Sequence, residues 1–454
     1  MNLRHSLMWI GGVVVLAGCT TPREETELLD HDARLDPSSC ASCHPAQYRE
    51  WSGSMHAYAA EDPVFRAMNA YGQRVTDGAL GDFCVQCHAP VALAEGATTN
   101  GNNLDTVAPH LRGVTCTACH QIDAVDDDHN NMTTWIGDAW FRGALERPMP
   151  SPAHGHQTSA LHDRDQLASA SLCGSCHDVV TPAGIHLERT YLEWQNSQYS
   201  VPEEALQQTC GSCHMPGRAG TAAAVPGAPE RRIHNHSMPG VDIALTEFPE
   251  ADVQRSLVQD ALDSSVWVQL EVYDYGLGTG ITVALDNIAA GHGFPSGAAH
   301  DRRAWVEVVA RDEANAVIWS SGTVEEDEPL REVVARDPDV WWLGDWARRA
   351  DGTDAHTFWE VDTIESSVLV APSRFPPNDP RYEASHVRRT WDLTGLFPSR
   401  VDVAIHIRPV GLDVLDVLIA SGDLDPIYRT KMPTFTLDGS RTTWTAEPEE
   451  SEGE

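Results

Sequence analysis

The sequence predicts an α+β protein of two domains, in which a region of short helices and irregular segments precedes an antiparallel β-sandwich-like domain. All eleven cysteines lie in the first half of the chain, the last at Cys213. That half is rich in Gly, Pro, Ala and His and lacks sustained apolar periodicity. From about residue 249 onwards, alternating β-branched and aromatic residues take over. A chain of 454 residues is long enough for two domains.

The charge balance restricts the partners of this protein. The chain has 31 basic and 67 acidic residues, a formal net charge of −36. Phosphate binding needs clustered Lys and Arg, so the composition argues against a nucleic-acid partner. An acidic surface instead favours solubility and the electrostatic steering of basic protein partners.

The first 18 residues have the pattern of an export signal, with a basic start and an almost wholly apolar run over 7–18. This run is too short to span a bilayer. Residues 16–19, Leu-Ala-Gly-Cys, resemble a bacterial lipobox, although an ordinary signal peptide with an incidental cysteine is the alternative. We therefore expect a lipoprotein signal peptide at 1–18 and a linker at 19–36. Lipidation of Cys19 would anchor the exported protein to the outer membrane, facing the periplasm or the cell surface.

The other ten cysteines form five pairs, each with two residues between its members and a histidine directly after the second. These motifs, numbered first to fifth in chain order, are Cys40-Ala-Ser-Cys43-His44, Cys84-Val-Gln-Cys87-His88, Cys116-Thr-Ala-Cys119-His120, Cys173-Gly-Ser-Cys176-His177 and Cys210-Gly-Ser-Cys213-His214. Thiols three residues apart lie on one side of a helical turn. They can form thioethers to the two haem vinyl groups while the histidine becomes the proximal iron ligand. The sequence thus predicts five covalently bound haem c groups in a domain at 37–248.

Three other uses of paired cysteines fit less well. Structural zinc sites usually combine two pairs, and five pairs is an odd number. Disulfides suit an exported protein but give no reason for a histidine after every second cysteine. Thioredoxin-like redox motifs normally occur singly within a strand–helix context that is absent here. Five apolar haem discs would also supply the core that the side chains of this region do not.

Several segments of this region resemble the multihaem family that contains hydroxylamine oxidoreductase and its electron acceptor, the tetrahaem cytochrome c-554. They are the stretch from Cys40 to His56, the Gly-Val-Thr-Cys116 approach, Tyr191-Leu-Glu-Trp194, and Cys213-His214-Met-Pro. The resemblance covers roughly residues 37–240. It implies low-spin haems in which a second histidine binds the distal face of the iron. The implied distal ligands are His56, His154 or His156, and His234 or His236, with His110, His129 and His186 as weaker candidates.

The second domain is predicted at 249–446 and is followed by an acidic, disordered tail at 447–454. Residues 249–263 have helical spacing, and 323–362 are acidic and Trp-rich, which predicts long loops packed on the sandwich. The predicted strands are Val266–Tyr273, Ile281–Ile288, Ala304–Arg311, Val317–Ser320, Ser367–Val370 and Val401–Ile407.

A Gly/Pro-rich turn at Asn287–Gly297 resembles a turn found beyond the haem region of many multihaem cytochromes. His292 within it is a candidate distal ligand supplied by the second domain, and a hairpin that happens to contain a histidine is the alternative. Gly291 and Gly293 would let the backbone approach a flat porphyrin closely.

The leading functional prediction is electron transfer between redox partner proteins, such as donor and acceptor cytochromes or a membrane complex. Closely packed haems pass charge without a nucleophile or a general base, so no catalytic residue is predicted. The alternative is a multihaem reductase or oxidase that acts on a small nitrogen or sulfur compound. That activity requires one haem with an open distal face and nearby acid/base groups.

Overall fold

The computed structural model describes residues 28–203 and 205–447. The predicted signal peptide, Cys19 and most of the predicted tail lie outside these residues. Among the helices that are described, none has the length and apolar character needed to cross a membrane.

The first region consists of short helices joined by loops, as the sequence predicts. The longest helix, Pro63–Val75, begins where the Asp62 side chain accepts a hydrogen bond from the Val64 N–H group and a proline occupies the first turn. The α-helices are His31–Leu35, Pro45–Ser52, Met55–Tyr58, Pro63–Val75, Val85–His88, Pro90–Ala94, Cys116–His120, Ser169–Gly174, Thr190–Asn196 and Cys210–His214. The 3₁₀-helices are Pro37–Cys40, Pro109–Leu111, Ala160–His162 and Gln198–Ser200.

Small two-stranded sheets complete this region. Ile122–Val125 pairs with Thr133–Trp135, Trp140–Gly143 with Gly155–Thr158, Val179–Val180 with His186–Glu188, and Gly217–Thr221 with Glu230–His234. The second of these pairs is parallel and the others are antiparallel. None of them forms an extended sheet.

The second region contains two antiparallel sheets that share one apolar core. One sheet has Gly278–Asp286 between Trp267–Asp274 and His386–Thr394. In the other, Arg303–Arg311 and Arg400–Arg408 are central, flanked by Val317–Ser321, Trp341–Leu343 and Phe435–Thr445. The facing side chains include Ile281 and Leu285 of the first sheet and Val308 and Ile405 of the second, all fully buried. This is the α+β architecture predicted from the sequence.

Further elements surround this core. The predicted helix at 249–263 is confirmed as Ala251–Asp263. The remaining elements are the helices Leu330–Arg336, Leu412–Ala420 and Ile427–Lys431, the 3₁₀-helix Phe358–Glu360, and the strand pair Asp345–Arg348 with Thr363–Ser366.

Two of the predictions for this region are wrong. Ser367–Val370 is not a strand, because only Leu369 forms an isolated bridge, with Phe294. The segment at 323–362 is not only loop, since it contains helix and strand. Its apolar side chains, among them Phe358 and Val361, pack against Leu80 and Leu187 of the first region.

The two regions are joined by an extensive apolar contact. Val64 and Ala67, on the longest helix of the first region, pack against Leu412, Leu415 and Leu418 of the second. The position of the second region relative to the cysteine motifs is therefore fixed by packing.

Candidate functional site

Each Cys-x-x-Cys-His motif forms a single turn of helix. Cys116–His120 and Cys210–His214 are complete helices, and in the other motifs the histidine N–H donates to the carbonyl of the first cysteine, at 2.8 Å for His44, 3.2 Å for His88 and 3.0 Å for His177. The two thiols of each motif therefore lie on one side of the turn. Desolvation raises the pKa of the Cys84 and Cys119 thiols to about 12, and both side chains are half-buried.

Four of the five motif histidines have one ring nitrogen held by a backbone carbonyl. Their Nδ1 atoms lie 2.7 to 3.1 Å from the carbonyl oxygens of Ala222 (His44), Ala59 (His88), Arg142 (His120) and Pro239 (His214). A carbonyl only accepts, so Nδ1 carries the proton and Nε2 stays available as a ligand atom. This is the hydrogen-bond pattern of metal-binding histidines.

Desolvation favours the neutral form of these rings and of the His56 ring, and metal binding requires that form. Desolvation lowers the pKa of His177 to about 3 and that of His120 and His56 to about 4. The pKa values of His44, His88 and His214 are lowered for the same reason.

Four motif histidines have a second histidine ring at a similar distance. The centroid separations are 6.3 Å for His44–His154, 6.0 Å for His177–His56, 6.2 Å for His214–His292 and 6.5 Å for His120–His236. Bonds between a metal and an imidazole nitrogen are about 2 Å long, so two imidazoles on opposite faces of one iron have centroids about 6 Å apart. The residues present therefore fit haem groups with two histidine ligands each.

A second ring, that of His162, also lies near His120, with a centroid separation of 5.7 Å. Its Nε2 atom is 2.9 Å from the Cys119 carbonyl oxygen, whereas His236 bonds to the His234 carbonyl through Nδ1 at 2.9 Å. His236 thus has the same free Nε2 as the motif histidines. His162 was not among the sequence candidates, and nothing in its local sequence distinguishes it.

The structure also separates the paired candidates of the sequence analysis. His154 bonds to the Gly155 carbonyl through Nδ1 and faces His44, whereas His156 uses Nε2 to bond to the Leu145 carbonyl. His234 lies beside Arg164, with a buried and unbonded Nδ1 atom. Among the described residues, His110, His129, His156, His186 and His234 form no ring pair with a motif histidine.

The second motif differs from the other four. Within the described parts of the chain, His88 pairs with no other histidine, and Phe65 stacks on its ring at 3.9 Å. Acidic groups lie nearby, since the Asp242 carboxylate acts electrostatically on His88 and the Glu188 carboxylate on Cys87. Burial raises the pKa of Glu188 to about 7. No local sequence pattern indicates these acidic neighbours, because they come from distant segments of the chain.

Cysteines of different motifs contact each other, and these contacts connect all five motifs. The neighbouring cysteine side chains of different motifs are Cys40 with Cys116, Cys87 with Cys176, and Cys173 with Cys210, and Cys119 lies close to Cys173 and Cys176. The first motif therefore adjoins the third, the third adjoins the fourth, and the fourth adjoins the second and the fifth. Cys213 of the fifth motif is the one exposed cysteine among the ten motif cysteines.

His292 reaches His214 from a turn of the second region. The turn is held by Asn287, which is fully buried and donates to the carbonyls of His292 and Leu369 at 2.7 and 2.8 Å. Gly291 has a φ of +77°, which favours glycine. Gly293 was expected to let the backbone approach a porphyrin, but its surroundings here are protein. A Cβ at this position would meet Val368 Cγ1 at 2.5 Å and Glu193 Oε2 at 2.9 Å. The glycine thus makes room for protein neighbours.

Two comparisons with known proteins bear on these observations. Residues 39–121 match the family model described as cytochrome c554 and c-prime. The whole fold is similar to the crystal structure of a penta-heme cytochrome c552 from Thermochromatium tepidum, with a TM-score of 0.63 at 17% identity. That similarity covers 91% of this chain and 99% of the other. No curated protein sequence matches this chain significantly.

Proposed function

We propose that this chain is a multihaem c-type cytochrome, which carries five covalently bound haem c groups and passes electrons between redox partner proteins. The single observation that carries this proposal is the continuous contact of the five attachment motifs. Each bound haem supplies a reversible Fe(III)/Fe(II) couple. The protein would hold these couples next to one another.

We propose ten attachment cysteines and five proximal histidines, those of the five motifs. The proposed distal ligands are His154 for the first motif, His236 for the third, His56 for the fourth and His292 for the fifth. The ring separations and the free Nε2 atoms of His154, His236 and His292 support these assignments. His56 is supported by its separation from His177.

The proposed location is the outer membrane, where lipidated Cys19 would hold the protein facing the periplasm or the cell surface. The lipobox-like sequence and the apolar run before it support this proposal. The described chain begins at Leu28, whose neighbour Leu29 donates a backbone hydrogen bond to the Ala153 carbonyl at 2.9 Å, directly before His154. An anchor at Cys19 would therefore keep the first motif near the membrane surface.

The proposed partners are redox proteins that tolerate or prefer an acidic surface, in keeping with the net charge of −36. The exposed Cys213 marks the fifth motif as a place where electrons can enter or leave. The contacts run from the first motif to the third, then to the fourth and the fifth, so the first and fifth motifs lie at opposite ends of this series.

A second candidate function is the reduction or oxidation of a small nitrogen or sulfur compound at the second motif. The specific observation in its favour is that His88 has no histidine opposite it among the described residues, while Asp242 and Glu188 lie close. The Glu188 carboxyl group, whose pKa burial raises to about 7, could hold or release a proton next to a bound substrate.

Two measurements on the oxidised holoprotein test these proposals. A coulometric titration should take up five electrons per chain, and the reduced protein should return them to an oxidised acceptor cytochrome without added substrate. Fewer than four electrons, or no exchange with any acceptor, would contradict electron transfer through five haems. For the second candidate, EPR should show one high-spin haem that changes on addition of nitrite or hydroxylamine. A spectrum with low-spin signals alone would exclude that candidate.

A further inference from the structure

The helix Thr190–Asn196, between the fourth and fifth motifs, binds the turn that carries His292. Glu193 Oε2 accepts hydrogen bonds from the Gly293 N–H group at 3.0 Å and from the Ser296 hydroxyl at 2.6 Å. Thr190 Oγ1 accepts from the Gly297 N–H group at 2.9 Å and lies 2.8 Å from the Ser296 hydroxyl. Four hydrogen bonds thus fasten this short turn to one helix of the first region.

The sequence of this helix suggests a different use for the same side chains. Thr190-x-x-Glu193 is the pattern of a capping box, in which both side chains would bond to the backbone of their own helix. Here the helix has no side-chain cap at its N-cap residue, Arg189. Asp178, which directly follows His177, accepts the Leu192 N–H at 3.0 Å instead. Thr190 and Glu193, one turn apart on the same face, therefore remain free to bind the second region.

The contact leaves little room for the turn to move. Gly293 lies against Val368 and Glu193 so closely that it has no space for a Cβ atom. The imidazole of His292 bonds to the carbonyl of the same Gly293 at 2.8 Å. Glu193 therefore holds the N–H side of Gly293 while the carbonyl of Gly293 orients the His292 ring. A displacement of Gly293 would be passed directly to the imidazole.

We propose that Glu193 is a positioning residue that holds His292 at the distal face of the fifth-motif haem. The inference rests on the proposed ligation by His292. In this proposal, the Glu193 carboxylate of the first region holds in place a ligand, His292, that the second region supplies. Glutamine offers the same carbonyl acceptor at this position, whereas alanine offers none and leaves the Gly293 N–H without its partner.

The test compares Glu193→Ala, Glu193→Gln and His292→Ala with the wild-type holoprotein by EPR and optical spectroscopy. Glu203→Ala, an exposed acidic residue of the same region, is the matched control. Each preparation must first retain five haems by mass. We expect Glu193→Ala to gain a high-spin signal of up to one haem equivalent above wild type, and added imidazole to reverse it. Glu193→Gln and Glu203→Ala should keep the wild-type spectrum.

The outcomes separate the two proposals. If His292→Ala leaves the spectrum unchanged, the ligand assignment is wrong and the inference falls with it. If His292→Ala produces the high-spin signal but Glu193→Ala does not, or if Glu193→Gln behaves like Glu193→Ala, the positioning role of Glu193 is overturned alone. Should Glu193→Ala fail to assemble, Gly293→Ala displaces the same turn by steric contact. It should produce the same imidazole-reversible signal, and a wild-type spectrum there would equally overturn the inference.

Discussion

Alanine replacements of His236 and His162 test which of these histidines is the distal ligand opposite His120 of the third motif. The distances alone do not choose, because centroid separations of 6.5 and 5.7 Å from His120 both lie near the value of about 6 Å for two imidazoles on one iron. The hydrogen bonds favour His236 as the ligand, because His162 bonds to the Cys119 carbonyl through Nε2 whereas the Nε2 atom of His236 is free. A ligand with its Nδ1 proton fixed by a carbonyl is the usual arrangement in metal sites.

We therefore expect His236→Ala to convert one haem of the five from low-spin to high-spin with no loss of haem. His162→Ala should leave the number of low-spin haems unchanged, because it removes only a side chain beside the motif. Quantitative EPR of the oxidised proteins, with the haem content fixed by the pyridine haemochrome assay, measures both. A high-spin haem in His162→Ala but not in His236→Ala would contradict the assignment of His236 as the ligand.

Three further predictions address the anchor, the attachment and the fold. Cys19→Ser should abolish lipid labelling and release the protein from membranes, and a wild-type mature N-terminus elsewhere would rule out the anchor. Replacing both Cys84 and Cys87 by serine should remove one haem by intact mass and lower the thermal midpoint, because a cofactor-sized void is left in the interior; an unchanged mass would contradict attachment there. Asp413→Ala should cost about 3–5 kcal/mol of unfolding free energy in a denaturant titration, because it leaves a buried Arg303 without its two hydrogen bonds of 2.6 and 3.1 Å. The nearby arginines lower the pKa of Asp413 in the folded protein. The stabilisation by Asp413 should therefore be present above the unfolded pKa of about 3.9 and be lost progressively as the pH falls below that value. Equal stability of wild type and variant at neutral pH would contradict the prediction.

The attachment motifs could be read from the sequence because their chemistry is local. Two thiols and an imidazole within five residues need only one helical turn, and each motif forms one. The central strands Arg303–Arg311 and Arg400–Arg408 were also predictable, because β-branched and other apolar residues recur along them at about every second position. His386–Thr394 was missed because charged side chains interrupt it, and its partner strand determines its conformation.

The proposed distal ligands could not be derived in the same way, because their assignment depends on long-range contacts. His56 faces His177 across more than a hundred residues, and His292 faces His214 from another region. The sequence does not distinguish neighbouring histidines such as His154 and His156. In the structure, His154 bonds to a backbone carbonyl through Nδ1 and His156 through Nε2. The proposed role of Glu193 could not be predicted either, because the local pattern Thr190-x-x-Glu193 resembles a helix cap and its partners lie in another region.

Intact mass of the holoprotein, produced with a functional cytochrome c maturation system, tests the central claim most directly. We expect a mature chain whose mass exceeds that of the polypeptide by five covalently bound haems. A mass that shows zinc instead, or fewer than five haems, would contradict the proposed attachment of five haems.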